Sequence, residues 1–197
     1  SGPPHFLAVF SARSLTRFRS TSARADADDM DGAPVNAAGL CKMYWGIGAD
    51  SLTYCRNERL GELRPEIRRA VVVVHGKNRN AQSYFDAVSR LATEEGRAKD
   101  TLLIAVQFLT RADIAAHQLP SNVLYWYKEG LKHCTKSVNG ANISSFEVLD
   151  QVLERLIEYN PNLEQIVIAG HSAGAQFVQK HAAARRTNVS DWKGQLH

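Results

Sequence analysis

The run Ala70-Val71-Val72-Val73-Val74 constrains the fold of this chain more than any other segment. Its residues are all apolar and mostly β-branched, so the segment has no polar face, and a strand of that kind is stable only where both faces are covered. His75-Gly76 ends it, and Tyr84, Phe85, Val88, Leu91 and Ala92 then recur with helical period as far as Gly96. Thr101 to Val106 reads as a second buried strand, Gln165 to Ala169 as a third, and Ala173 to Arg185 as the helix after it. Strands alternating with helices imply right-handed crossovers and a mostly parallel sheet, an α/β fold.

Local signals fill in the rest. Lys42 to Gly46 and Leu52 to Arg56 are short and β-prone, and Gly48-Ala49-Asp50 between them suggests a hairpin. A further helix begins at Ser144, with Glu147 as capping-box partner and Ile143 against Val148 as a hydrophobic staple. Phe146, Leu149, Leu153, Leu156 and Ile157 form its apolar stripe, and Pro161 stops it. The polar stretch of about residues 110–143 is too long for a simple connection and reads as an insertion.

At 197 residues, 44% hydrophobic and 22% charged, the chain suits one globular domain, and collagen-like, coiled-coil and wholly disordered readings are excluded. Its 24 basic and 20 acidic residues are interspersed, which argues against a nucleic-acid partner. No apolar run approaches the roughly 20 residues of a membrane-spanning helix. The three cysteines cannot all pair within the chain. Cys41 and Cys55 could meet on neighbouring strands, but free, buried thiols acting as small hydrophobes are the preferred reading, and no metal-ligand spacing is present. Residues 1–36 stand apart: serines alternate with arginines, no acid precedes Asp26, and no methionine precedes Met30. They read as disordered or targeting-like, with the folded domain over 37–197.

Chemistry concentrates at Gly170-His171-Ser172-Ala173-Gly174, a G-x-S-x-G sequence placed between a strand and a helix, which is the context that motif requires. A serine hydroxyl is a poor nucleophile unless it is exposed, near a base and beside oxyanion donors. A tight strand-to-helix turn presents it, and Gly170 and Gly174 leave room for close backbone packing. In an open parallel sheet the loop His75-Gly76-Lys77 and the Ser172 turn face one crevice at the carboxyl ends of their strands. The backbone N–H groups of Lys77 and Ala173 are therefore the oxyanion-hole candidates. His75 and His171 read as supports of loop and turn rather than as the base.

These segments, together with Arg79-Asn80-Ala81, Tyr84-Phe85, Gln107-Phe108-Leu109, Leu124-Tyr125-Trp126, the helix start Ser144 to Asp150 and Gln176-Phe177-Val178-Gln179, resemble the N-terminal half of an esterase-like α/β-hydrolase. The resemblance runs from about Leu52 to Arg185. It implies Ser172 as nucleophile, an oxyanion hole from the Lys77 and Ala173 backbone, and hydrolysis of an ester or related acyl bond in a small molecule. No metal or organic cofactor is implied. Tyr125, Trp126 and Tyr127 are candidates to line or cover the substrate, or to pack the insertion onto the core.

The sequence departs from that family after the turn. Only 25 residues follow Ser172, whereas each further βα unit takes on the order of 30. Loops carrying the acid and the histidine of a triad are not expected within them, and Asp191 and His197 read as a tail. The expectation is a partial fold, cut short after the helix that follows Ser172, from a longer hydrolase, and inactive as this truncated chain. Its last strand would leave an edge open to self-association. Two other readings remain: a hydrolase-like protein without catalysis that binds a partner through that edge, and an acyltransferase.

Overall fold

The computed structural model describes residues 32–128 and 130–184, and the backbone of 195–196. The expectations made for 1–31, Arg185, Asp191 and His197 lie outside the described residues. Six strands form one mixed sheet: β1 (Met43–Ile47), β2 (Asp50–Arg56), β3 (Arg69–Val74), β4 (Thr101–Gln107), β5 (Gln165–Gly170) and β6 (Gln195–Leu196), in the order β1-β2-β4-β3-β5-β6. The helices are α1 (Ala81–Glu94), α2 (Arg111–Ala116), α3 (Ser145–Tyr159) and α4 (Ala173–Ala184).

The apolar run at Ala70 lies at the centre of this sheet. β3 pairs in parallel with β4 on one side and β5 on the other, and Val74 stands opposite both Val106 and Gly170. The expected hairpin forms β1 and β2, and β2 continues the sheet antiparallel to β4. Alternate residues of β3 serve different layers, as strand geometry requires. Ala70, Val72 and Val74 join the main core with Val148, Leu149, Leu153 and Phe177 of α3 and α4. Val73 points the other way, among Cys41, Cys55, Ala81 and the α1 residues Tyr84, Phe85 and Val88. Helices thus cover both faces, which is why the run needs no polar residue.

The α3 start is built as its sequence indicates. Ser144 Oγ accepts the Glu147 N–H at 3.1 Å, and Glu147 Oε2 accepts the Ser144 N–H at 2.8 Å. The 110–143 stretch contains α2, a 3₁₀ turn at Leu131–His133 and short bridges, and it buries Val123, Leu124, Trp126 and Leu131. Residues just before 37 belong to the packed body as well: Val35 is buried, and its N–H donates to Asp113 Oδ1 at 2.7 Å.

Two expectations are corrected. Cys41 and Cys55 are not free thiols but form a disulfide with a Cα–Cα distance of 5.1 Å. Cys41 precedes β1 and has no strand partner of its own; Gln107 at the end of β4 holds it, Oε1 accepting the Cys41 N–H at 2.9 Å. That long-range contact brings it to Cys55 on β2. The edge beside β5 is not wholly open either, since Gln165 and Ile166 pair in parallel with Gln195 and Leu196. Cys134 is free and exposed.

The disulfide closes a short loop, with a sequence separation of 14. Cross-links of that span stabilise by about 3 kcal/mol, mainly by restricting the unfolded chain. The double substitution Cys41→Ala/Cys55→Ala is expected to lower the free energy of urea unfolding by about 2–3 kcal/mol, and Cys134→Ala to leave it unchanged.

Candidate active site

Because β3 and β5 are in register at Val74 and Gly170, the segments that follow them leave the same edge of the sheet side by side. Ser172 occupies the turn between β5 and α4 with φ +56°, the left-handed region that non-glycine residues seldom adopt. Strain of that kind costs on the order of 1–3 kcal/mol and persists only where the surroundings enforce it. Here the turn is closed by Gly174 N–H donating to His171 O at 2.9 Å and Gln176 N–H to Ser172 O at 3.1 Å. Both flanking glycines are sterically required. A Cβ on Gly174 would run into the carbonyl oxygens of Val74 and His75, and one on Gly170 into the Gly174 carbonyl.

The neighbouring loop is held as firmly. The Phe108 N–H donates to His75 Nε2 at 2.9 Å, so the ring proton sits on Nδ1, which donates to Gly76 O at 2.8 Å. Burial pushes the His75 pKa down to about 4, and the Arg79 charge adds to the shift. His75 is thus a neutral ring with both nitrogens engaged, consistent with a support. Arg79 N–H closes a turn on Gly76 O at 3.1 Å, and Arg79 has φ +56°.

Between loop and turn lies a cleft of ≈ 140 Å³. Ser172, Ala173, Gly76 and Lys77 form one side of it, and Phe108 and Trp126, in edge-to-face contact at 5.0 Å, form another. Among the described residues neither the Lys77 nor the Ala173 N–H has a backbone acceptor. Ala173 is also the first residue of α4, where the helix dipole favours negative charge.

The structure distributes the other candidates widely. Trp126 and Tyr127 line the cleft, but Tyr125 does not. Near Tyr125 the backbone is extended and bridged to Leu109, so successive side chains alternate and Tyr125 joins Val35, Leu40 and Val123 instead. His171 is exposed, with Tyr84 Oη 2.9 Å from its Nδ1. His181 is buried between helices, its Nε2 2.8 Å from Asp150 Oδ1. His117 Nε2 donates to Val35 O, and His133 is exposed in the 3₁₀ turn. Among the described residues, no hydrogen bond joins a histidine to Ser172, and no group of three metal-ligating side chains occurs.

Sequence reasoning assigned no role to Asp113, or to Arg79, which it quoted only within the segment Arg79-Asn80-Ala81. They form a buried ion pair, Arg79 Nε to Asp113 Oδ2 at 2.6 Å. Burial works against the Asp113 charge, but hydrogen bonds from Arg79, Val35 and Thr110 outweigh it and hold the carboxyl below its ordinary pKa. The only local signal was the spacing Thr110-x-x-Asp113, a helix-start pattern.

No protein-family model matches the chain, and no curated protein does. Among solved structures it is similar to poly(aspartic acid) hydrolase-1 from Sphingomonas sp. KT-1, with a TM-score of 0.46 and 20% identity over 75% of this chain and 50% of that one. The chain therefore spans half the length of that protein. Among the described residues no helix is long and apolar enough to cross a membrane.

Two outcomes follow from this geometry. Between pH 6.5 and about 4 the unfolded chain binds a proton at His75 that the folded protein refuses, so stability falls as pH drops through that window, by about 3 kcal/mol. Urea titrations at pH 7 and pH 4 should show that loss diminished in His75→Gln. Gly174→Ala should destabilise by several kcal/mol or prevent folding, because the new methyl group meets backbone that cannot move aside.

Proposed function

We propose that this protein is an α/β-hydrolase-type serine hydrolase acting on an ester or related acyl bond, with Ser172 as nucleophile. The observation that carries the reading is the left-handed Ser172 at a strand-to-helix turn, opening onto a cleft shared with the loop after β3. A nucleophile elbow requires this strained presentation, and its oxyanion hole draws on the residue after the serine and on the loop after the third strand. Ala173 and Lys77 hold those positions.

In this reading Ser172 Oγ attacks the acyl carbon while a general base takes its proton. The oxygen of the tetrahedral intermediate is bound by the Lys77 and Ala173 N–H groups, in a site where preorganised donors are effective. Collapse expels the alcohol, which takes up the proton, and water then releases the acid from the acyl-enzyme by the same route. The base and its acid partner come from outside the described residues. Gly170, Gly174, Gly76, His75 and His171 hold the two segments together. Trp126 and Phe108 line the cleft beside Ser172 and give the acyl group an apolar wall.

The lack of a histidine bonded to Ser172 among the described residues favours a second reading, a hydrolase-like fold that binds a partner without catalysis. A fluorophosphonate probe separates the two. Under the hydrolase reading it forms an adduct on the peptide containing Ser172, and Ser172→Ala abolishes labelling while circular dichroism is unchanged. A folded full-length protein that stays unlabelled contradicts catalysis and leaves the partner-binding reading.

A further inference from the structure

We propose that the buried Arg79–Asp113 ion pair is the positioning device of the oxyanion-binding loop, fixing the peptide that presents the Lys77 N–H to the cleft. The proposal rests on the reading of Ser172 as nucleophile and extends it, because neither residue touches the reacting atoms.

Gly76 C=O and Lys77 N–H belong to one peptide plane. A trans peptide directs its N–H opposite to its C=O, so whatever holds Gly76 O determines where the Lys77 N–H points. Gly76 O is held from inside by two donors, His75 Nδ1 at 2.8 Å and Arg79 N–H at 3.1 Å. The second donor closes the turn Gly76–Arg79, so it stays in place only while Arg79 is held there, and Arg79 is held with φ +56°. No glycine eases that conformation, so contacts of Arg79 itself must enforce it.

Two of those contacts go to a buried carboxylate, and a third, Arg79 Nη2–H to Ala33 O at 2.6 Å, holds the segment before Val35. Arg79 Nε–H donates to Asp113 Oδ2 at 2.6 Å and Nη2–H to Asp113 Oδ1 at 3.1 Å, the two-pronged geometry that specifies orientation as well as charge. Asp113 is itself immobilised, since it also accepts the Val35 N–H, the Thr110 N–H and the Thr110 hydroxyl. Arg79 Nη1 reaches back to Lys77 O at 3.4 Å, and Arg79 O accepts Gln107 Nε2 at 2.6 Å. The backbone of Arg79 is thus fastened to the end of β4 and its side chain to the segment after it, and the turn Gly76–Arg79 is suspended from both. The pair holds the 33–35 segment as well, so its role at the turn is read from the labelling rate rather than from stability.

The test uses Asp113→Asn and Arg79→Lys in the whole protein, with Glu164→Gln, which breaks the exposed Arg68–Glu164 bridge, as control. Each variant is checked for native circular dichroism and assayed well below its unfolding midpoint for the rate (kinact) and affinity (KI) of fluorophosphonate labelling. Misplacing one oxyanion donor is expected to lower kinact on the order of 10²-fold with KI changed less than about twofold, and the control to match wild type. Arg79→Lys keeps the buried charge but not the fork, so it carries the test if Asp113→Asn does not fold. Folded variants labelled at the wild-type kinact overturn the positioning role while leaving the nucleophile in place. A wild-type protein unlabelled at Ser172 overturns the nucleophile reading and the proposal together.

Discussion

The architecture depends on one close approach, the first turn of α4 lying against the end of β3. Gly174 touches the Val74 and His75 carbonyls, and Gly170 touches Gly174, with no side chain between the segments. Backbone packed on backbone is far stiffer than side chain on side chain, and it dictates the rest of the site. It forces the chain to turn within a few residues of β5, which drives Ser172 into the left-handed region. It also places the Lys77 loop next to Ser172. The central strand supports the arrangement because its apolar residues are locked into both layers of core.

Around that contact the polar groups work as constraints more than as sources of stability. A buried ion pair such as Arg79–Asp113 recovers little net energy once the desolvation of both charges is counted, while breaking it leaves a buried charge unpaired at about 3–5 kcal/mol. Its value is geometric. The same holds for His75, a histidine kept neutral by burial so that one nitrogen can accept and the other donate. Phe108 links this support to the cleft: its N–H fixes His75 and its ring packs on Trp126.

How much was legible in the sequence follows from the range of each interaction. The central strand, the hairpin and the Ser144–Glu147 cap were legible because composition, period or a three-residue spacing encodes them. The Ser172 turn was legible because glycines must flank a strained residue there. The Cys41–Cys55 disulfide was not, since it depends on Gln107 holding Cys41 across 66 positions. Arg79 and Asp113 were hidden for the same reason, being 34 positions apart with no shared pattern. Tyr125 and Trp126 could not be told apart as lining residues, because their directions depend on a local extended bridge to Leu109 that no periodicity announces.

The central claim is that Ser172, Lys77 and Ala173 form one acyl-transfer centre, and the most direct measurement is a crystal structure of the protein treated with a small alkyl phosphonate inhibitor. The account predicts continuous density from Ser172 Oγ to phosphorus, with the phosphonyl oxygen about 2.7–3.1 Å from both the Lys77 and the Ala173 backbone nitrogens. An adduct on another residue, or an oxygen on Ser172 directed to solvent away from those two N–H groups, would contradict it.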